Sequence, residues 1–174
     1  MDAEQLAFEP SEEDLDVPPL QQETDFSCGA AALLAVMRYF GQGSELQEAD
    51  LFDQLQTTPK NGTAPDNIVR VANKLGLHAN WRTGIDVHDL QDALESNVPI
   101  ILDIQATDEV PSEQLTDGHY IVLVGIDDEY IRYMDPSLGD YDSMTLDDFE
   151  LRWVDVDGPR GGIFVDGGEA NGNV

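Results

Sequence analysis

The chain has 174 residues, and 8 Lys plus Arg face 36 Asp plus Glu, for a formal net charge of −28. So few cations exclude a surface built to hold nucleic-acid phosphates or an anionic membrane, and a small soluble domain ordinarily carries a net charge of only about 2–8. Leu, Ile, Val and Phe nevertheless make up roughly a quarter of the residues, above the ~20% below which a charged chain stays disordered, so a packed core is expected.

Residues 1–20 are rich in Glu, Asp and Pro without periodicity and are expected to form a mobile tail, with ordered structure from near Gln22. The run CGAAALLAVMRYF, Cys28 to Phe40, is apolar almost all round, which predicts a helix in the middle of a domain. Ser27 is its expected N-cap and Gly41 its C-terminal stop, so Cys28 falls in the first turn. Ser44 is expected to cap a second helix to about Gln54, with Leu46, Leu51, Phe52 and Leu55 inward. Thr63 opens a third, with Ile68, Val69, Val71, Ala72 and Leu75 inward and Gly76 ending it. Asp86 opens a fourth, facing the core with Val87, Leu90 and Leu94. Strands are expected at Leu77–Arg82, Val98–Gln105, His119–Ile126, Tyr130–Met134 and Gly162–Val165, and a short helix at Thr145–Trp153. Helices come first and strands mostly later, so the fold class is α+β with an antiparallel sheet. One domain over 21–166 is expected, with a second tail at 167–174.

The chemistry starts from Cys28, the single cysteine, which excludes an intramolecular disulfide and an all-cysteine metal site. A lone thiol is most often core filler, but a helix N-terminus favours an anion, and Gly29 beside it leaves room for a substrate. A thiolate nucleophile needs an imidazole partner. His78 opens a short strand and His88 lies on the polar side of a helix, so both read as surface residues. His119 stands instead at the mouth of the apolar strand YIVLVGI, where a rigid element can hold it. The following hairpin, turning at Asp127–Asp128–Glu129, returns to Asp135 and brings it nearly opposite His119, so Asp135 is the candidate to orient the ring. Acyl transfer also needs donors for an oxyanion. The Cys28 N–H is one, and Gln22, six residues upstream, carries a second; Gln21 is a neighbour at a different spacing.

Gln22, Cys28–Gly29, the GHYIVLVG segment with His119, and Asp135–Pro136 together resemble the bacteriocin-processing cysteine peptidases, the papain-like family thirty-nine that cleaves after double-glycine leaders. GTAPDNIVRVANKLGLHA is similar to that family's helix after the nucleophile helix, and TLDDFELRW to its late helix, so the likeness spans roughly residues 20–166. The resemblance implies a papain-like fold and a Cys28–His119–Asp135 triad with Gln22 at the oxyanion. It implies a peptide or small protein as substrate, no cofactor and no metal. Best-known members are fused to exporters. Here no span and no GxxxxGK[ST] phosphate loop is seen, so a stand-alone peptidase is expected, with a separate peptide exporter as a partner to consider. Related stand-alone papain-like domains include acyltransferases and transpeptidases, and a catalytically silent peptide-binding module is the reading from another class.

Remaining signals are weaker. Asp155–Val156–Asp157–Gly158 reads as a turn, since its Gly comes too early for a calcium loop. Gly161–Gly162 and Gly167–Gly168 read as a flexible strand opening and a fraying end. The first twenty residues lack a basic and apolar signal sequence, so a cytoplasmic location is expected. Acids run from Asp2 to Glu169 rather than in one block. Their mutual repulsion fades as the Debye length falls to about 3 Å near 1 M salt, which points to a high-salt cytoplasm.

Overall fold

The computed structural model describes residues 13–105, 118–153 and 160–167. Five helices, α1 (Cys28–Tyr39), α2 (Ala49–Leu55), α3 (Pro65–Lys74), α4 (Val87–Glu95) and α5 (Leu146–Arg152), accompany six strands among these residues. The strands are β1 (His78–Thr83), β2 (Ile100–Gln105), β3 (Gly118–Ile126), β4 (Tyr130–Asp135), β5 (Asp140–Thr145) and β6 (Gly161–Asp166). They form one sheet in the order β1-β6-β2-β3-β4-β5, with every neighbouring pair antiparallel. The fold is therefore α+β, as the sequence predicts.

Helix α1 is the centre. Every residue from Gly29 to Met37 is buried, so a helix apolar on all sides has protein on all sides. It packs on β3, while α2 and α3 pack against it. Its end is a Schellman turn: Gly41 takes φ +80°, its N–H bonds the Arg38 carbonyl at 3.0 Å, and the Gln42 N–H bonds that of Met37 at 2.9 Å. Ser27 occupies the N-cap position, but its hydroxyl does not cap; it is buried and donates to Glu48 Oε1 at 2.7 Å. Ser44 does not cap either. The Arg38 guanidinium holds the Leu46 carbonyl at 2.7 Å, this segment stays in turns, and α2 begins only at Ala49. Helix α3 begins at Pro65 rather than Thr63, because proline's fixed φ suits the first helical position. Asp86 does cap α4, through a reciprocal box with Asp89 (3.1 and 2.9 Å). Thr145 caps α5 from the Asp148 N–H at 3.1 Å.

Strand β5 is absent from the sequence expectations. Asp140, Asp142 and Ser143 give it no apolar alternation, and at the sheet edge only Met144 is buried. Gly161 and Gly162 are buried inside β6, so they are strand residues and not a flexible opening. Residues 155–158 and Gly168 lie outside the described residues.

The largest departure is the N-terminal segment. Residues 14–20, expected in the tail, are packed: Val17 is fully buried and Leu15 nearly so. The Leu15 N–H bonds the Val124 carbonyl at 2.9 Å, and Tyr141 donates its hydroxyl to the Val17 carbonyl at 2.5 Å. Arg132 grips Asp14 with two hydrogen bonds (2.5 and 2.9 Å) and reaches Asp127 at 2.7 Å. Gly125 makes room for this pair, since a Cβ there would come within 2.0 Å of Asp14 Oδ1. Alternation of Leu15 and Val17 with acids is the only sequence trace of this strap, and three residues are too few to register as a strand. Charge-assisted hydrogen bonds contribute about 1.5–3 kcal/mol each when buried. Asp14→Ala is accordingly expected to lower unfolding stability by about 2 kcal/mol, read as a lower denaturant midpoint in molar KCl; an unchanged midpoint would show the strap to be idle.

Candidate active site

Four residues expected to work together come from three places in the chain. Cys28 is the first residue of α1 and is half-buried, packed against the core. His119 is the second residue of β3, and Asp135 is the last of β4. The imidazole Nε2 lies 2.6 Å from Asp135 Oδ1, and the pair is sheltered, with side chains 15% and 13% exposed. The Cys28 side chain acts on the same ring and favours its protonated form. Because Nε2 is taken by the carboxylate, Nδ1 is the nitrogen left for the thiol.

Asp135 reaches His119 by a different route from the one expected. The turn is the two-residue step Asp128–Glu129, closed by the Asp127 N–H on the Tyr130 carbonyl at 2.9 Å. Pairing then runs Ile126↔Ile131 and Gly125↔Arg132, slips by one residue between Leu123 and Gly125, and continues through Val122↔Met134. Asp135 is therefore level with Ile121, two residues from His119 on the same face. The contact is diagonal, at a separation that an aromatic ring such as the imidazole can reach across. The slip sits where Leu15 bonds the Val124 carbonyl, so the N-terminal strap and the bulge occur together.

The electrostatics are those of an imidazolium favoured by two neighbouring groups. Burial disfavours the imidazolium, but the hydrogen bond to Asp135, then the Cys28 side chain, and the charges of both outweigh it, and His119 is pushed up to about 9. Burial raises Asp135, yet its bonds to His119 and Ser137 more than compensate and hold it below the usual carboxylate range. Asp135 Oδ1 accepts from the Ser137 N–H at 2.9 Å and the Ser137 hydroxyl at 2.8 Å, which aims the carboxylate at the ring. Sequence reasoning missed Ser137. Its signal was available, because Asp-x-Ser after a strand end is an Asx-type turn.

Gln22 is brought to the same corner by its backbone, whose N–H bonds the Pro136 carbonyl at 2.8 Å. Its carboxamide Nε2 donates to the Thr24 carbonyl at 2.6 Å, one of two protons on that nitrogen. Gln21 is exposed and packs over Gly139 instead. His78 and His88 are both exposed and stand apart from this group, as expected. No group of three or more metal-ligating side chains occurs among the described residues, and no described helix is long and apolar enough to cross a membrane.

Residues 14–158 match the Peptidase_C39 like family. Among solved structures, a double-glycine motif protease from an AMS/PCAT transporter, in complex with its leader peptide, superposes with a TM-score of 0.67 at 16% identity, covering 90% of this chain and 95% of that one. The peptidase domain of Streptococcus ComA, a bifunctional ABC transporter of quorum sensing, gives 0.65 at 22% identity, covering 86% and 98%. A C39-like protein from Bacillus anthracis gives 0.68 at 18% identity, covering 88% and 98%. No curated protein sequence matches the chain. At these identities the structures share the fold.

Proposed function

Because the chain belongs to the Peptidase_C39 like family, we propose that it is a cysteine peptidase that cleaves a peptide bond after a Gly-Gly leader, working in a high-salt cytoplasm. The observation that carries this reading is the convergence of Cys28 and Asp135 on the His119 imidazole. Structures of the same fold that come from transporters, one of them with a leader peptide bound, support a peptide substrate and a separate exporter as partner.

In this mechanism the Cys28 sulfur, with its proton passed to His119, attacks the scissile carbonyl carbon. The carbonyl oxygen becomes an oxyanion and accepts from the second Nε2 proton of Gln22 and from the Cys28 N–H, a first-turn donor with no helical acceptor. Asp135 keeps the imidazolium oriented while it forms. His119 gives its proton to the departing amine, leaving a thioester on Cys28. Water, deprotonated by His119, then attacks the thioester and releases the acid, restoring the thiol.

The net charge shapes when this can happen. Surface carboxylates repel one another and oppose a thiolate, whereas the His119–Asp135 contact is local and sheltered. Between about 0.1 M and about 1 M salt the Debye length falls from about 10 to about 3 Å, which removes the diffuse repulsion and spares the local pair. The test is a peptide with a Gly-Gly leader, incubated at about 0.1 and about 1 M KCl and followed by mass spectrometry, with circular dichroism on the same samples. Cleavage after Gly-Gly, and folding that both strengthen with KCl, are expected. No cleavage at any salt would favour the silent peptide-binding module, and full folding at low salt would overturn the high-salt assignment.

A further inference from the structure

Glu48 is buried, 3% exposed, in a chain whose acids otherwise have every reason to stay in water. It stands just before α2, on a different element from any site residue. Its Oε1 accepts two hydrogen bonds, from the Glu23 N–H at 2.6 Å and from the Ser27 hydroxyl at 2.7 Å. Its Oε2 is buried and has no hydrogen-bond partner among the described residues. The bonding of this carboxylate therefore goes entirely to the short segment between Gln22 and Cys28.

That segment carries the bonds onward. Ser27 Oγ accepts from the Thr24 N–H at 3.1 Å, and the Thr24 carbonyl accepts from Gln22 Nε2 at 2.6 Å. The Gln22 carboxamide has no other anchor, for its Oε1 is buried without a partner among the described residues. Turning the amide over would set Oε1 against the Thr24 carbonyl, oxygen to oxygen, so the donor orientation follows from where Thr24 is held. A continuous relay thus runs from Glu48 through Ser27 and Thr24 to the Gln22 amide.

We propose that Glu48 is the positioning residue of the oxyanion site: by clamping residues 23–27 from the start of α2, it fixes the distance and angle between the Gln22 carboxamide and the Cys28 N–H. This rests on the reading of Cys28 as nucleophile and Gln22 as oxyanion donor. The carboxylate touches no substrate atom and changes no proton in the reaction. A loop with three exposed or half-exposed residues (Glu23, Thr24, Asp25) would otherwise be free to drift, and a displacement of about 1 Å at a reacting centre can cost on the order of 10²-fold in rate.

The experiment compares turnover of the Gly-Gly peptide with alkylation of Cys28 by iodoacetamide in the same preparations. Alkylation displaces iodide at carbon and forms no oxyanion, so it reads the thiol and not the donors. Glu48→Ala is expected to lower kcat by about 10- to 100-fold, with KM and the alkylation rate each within about twofold of the parent. Glu48→Gln keeps an Oε1 acceptor and should recover most of that loss. In a Gln22→Ala background, Glu48→Ala should cost less than about threefold more, because both act on one donor. Should Glu48→Ala fail to fold, Ser27→Ala breaks the same relay one link later and carries the same expectations. Unchanged kcat, additive losses with Gln22→Ala, or parallel loss of turnover and alkylation would overturn the assignment while leaving the peptidase reading intact. A parent that never turns over would overturn both.

Discussion

Cys28→Ser is expected to lower kcat by roughly 10⁴-fold or more while peptide binding is retained. The hydroxyl occupies nearly the same volume at the head of α1, so the core beneath it, buried from Gly29 to Met37, has no reason to rearrange. What changes is the acid. A serine hydroxyl holds its proton far more tightly than a thiol and does not give it up to form an ion pair with His119, and a ring that stays protonated up to about 9 offers little free base near neutral pH to remove it. His119→Ala should fall to nearly the same floor, and the double variant little further, since nucleophile and base act as one unit. Turnover by single-cycle peptide cleavage and binding by titration with the uncleaved peptide separate the two effects. Substantial cleavage by Cys28→Ser would remove Cys28 from the chemistry; absence of turnover in the parent would return the protein to a binding role.

Asp135→Ala carries the second large effect, a loss in kcat/KM of about 10²- to 10⁴-fold by analogy with triads that lose their orienting carboxylate. Two consequences separate it from a general structural lesion. With the carboxylate gone, burial is no longer outweighed, so His119 should drop from about 9 toward or below its ordinary 6.5. The alkaline limb of the pH–rate profile should move down with it. Stability follows the same sign. A group raised from 6.5 to about 9 by folding stabilises the protein fully below 6.5, and that contribution is lost as pH rises through about 9. Asp135 itself, lowered by folding, contributes above its ordinary carboxylate range and loses that contribution as acid protonates it. The parent should therefore unfold more readily at pH 9.5 than at pH 6, and Asp135→Ala should flatten this slope. Asp135→Asn, which keeps an acceptor oxygen without the charge, should fall between. An alkaline limb that does not move in either variant would dissociate Asp135 from the imidazole's protonation.

Much of the site was legible because its signals are local. Cys28 could be placed at a helix start from the apolar run that follows, and His119 from the strand it opens. Even so, pairing His119 with Asp135 depended on a hairpin geometry that was only half right. The turn is centred later than the acidic tip suggests, and a bulge near Val124 takes one residue back. The partners survive because a diagonal contact on one face tolerates this change, which a full one-residue slip to the other face would not. Helix starts divide in the same way. Asp86 and Thr145 hold their caps by hydrogen bonds three residues away. Ser27 loses its cap to Glu48, twenty-one residues along the chain, which takes its hydroxyl, and Ser44 loses its cap because Arg38 holds the segment around it in turns.

The amino-acid sequence by itself determined the α+β class, the central helix and the candidate Cys28, His119 and Asp135. Each of these is encoded by periodicity, burial pattern or the chemistry of one side chain, all properties of neighbouring residues. Tertiary structure alone decided that residues 14–20 belong to the packed body, that β5 completes the sheet, and that one buried glutamate braces the approach to Cys28. An acidic residue paired across a fold looks the same in sequence as one facing water. In a chain carrying a net charge of −28, most acids among the described residues are exposed, and Asp14 and Glu48 are distinguished by the partners that folding brings to them.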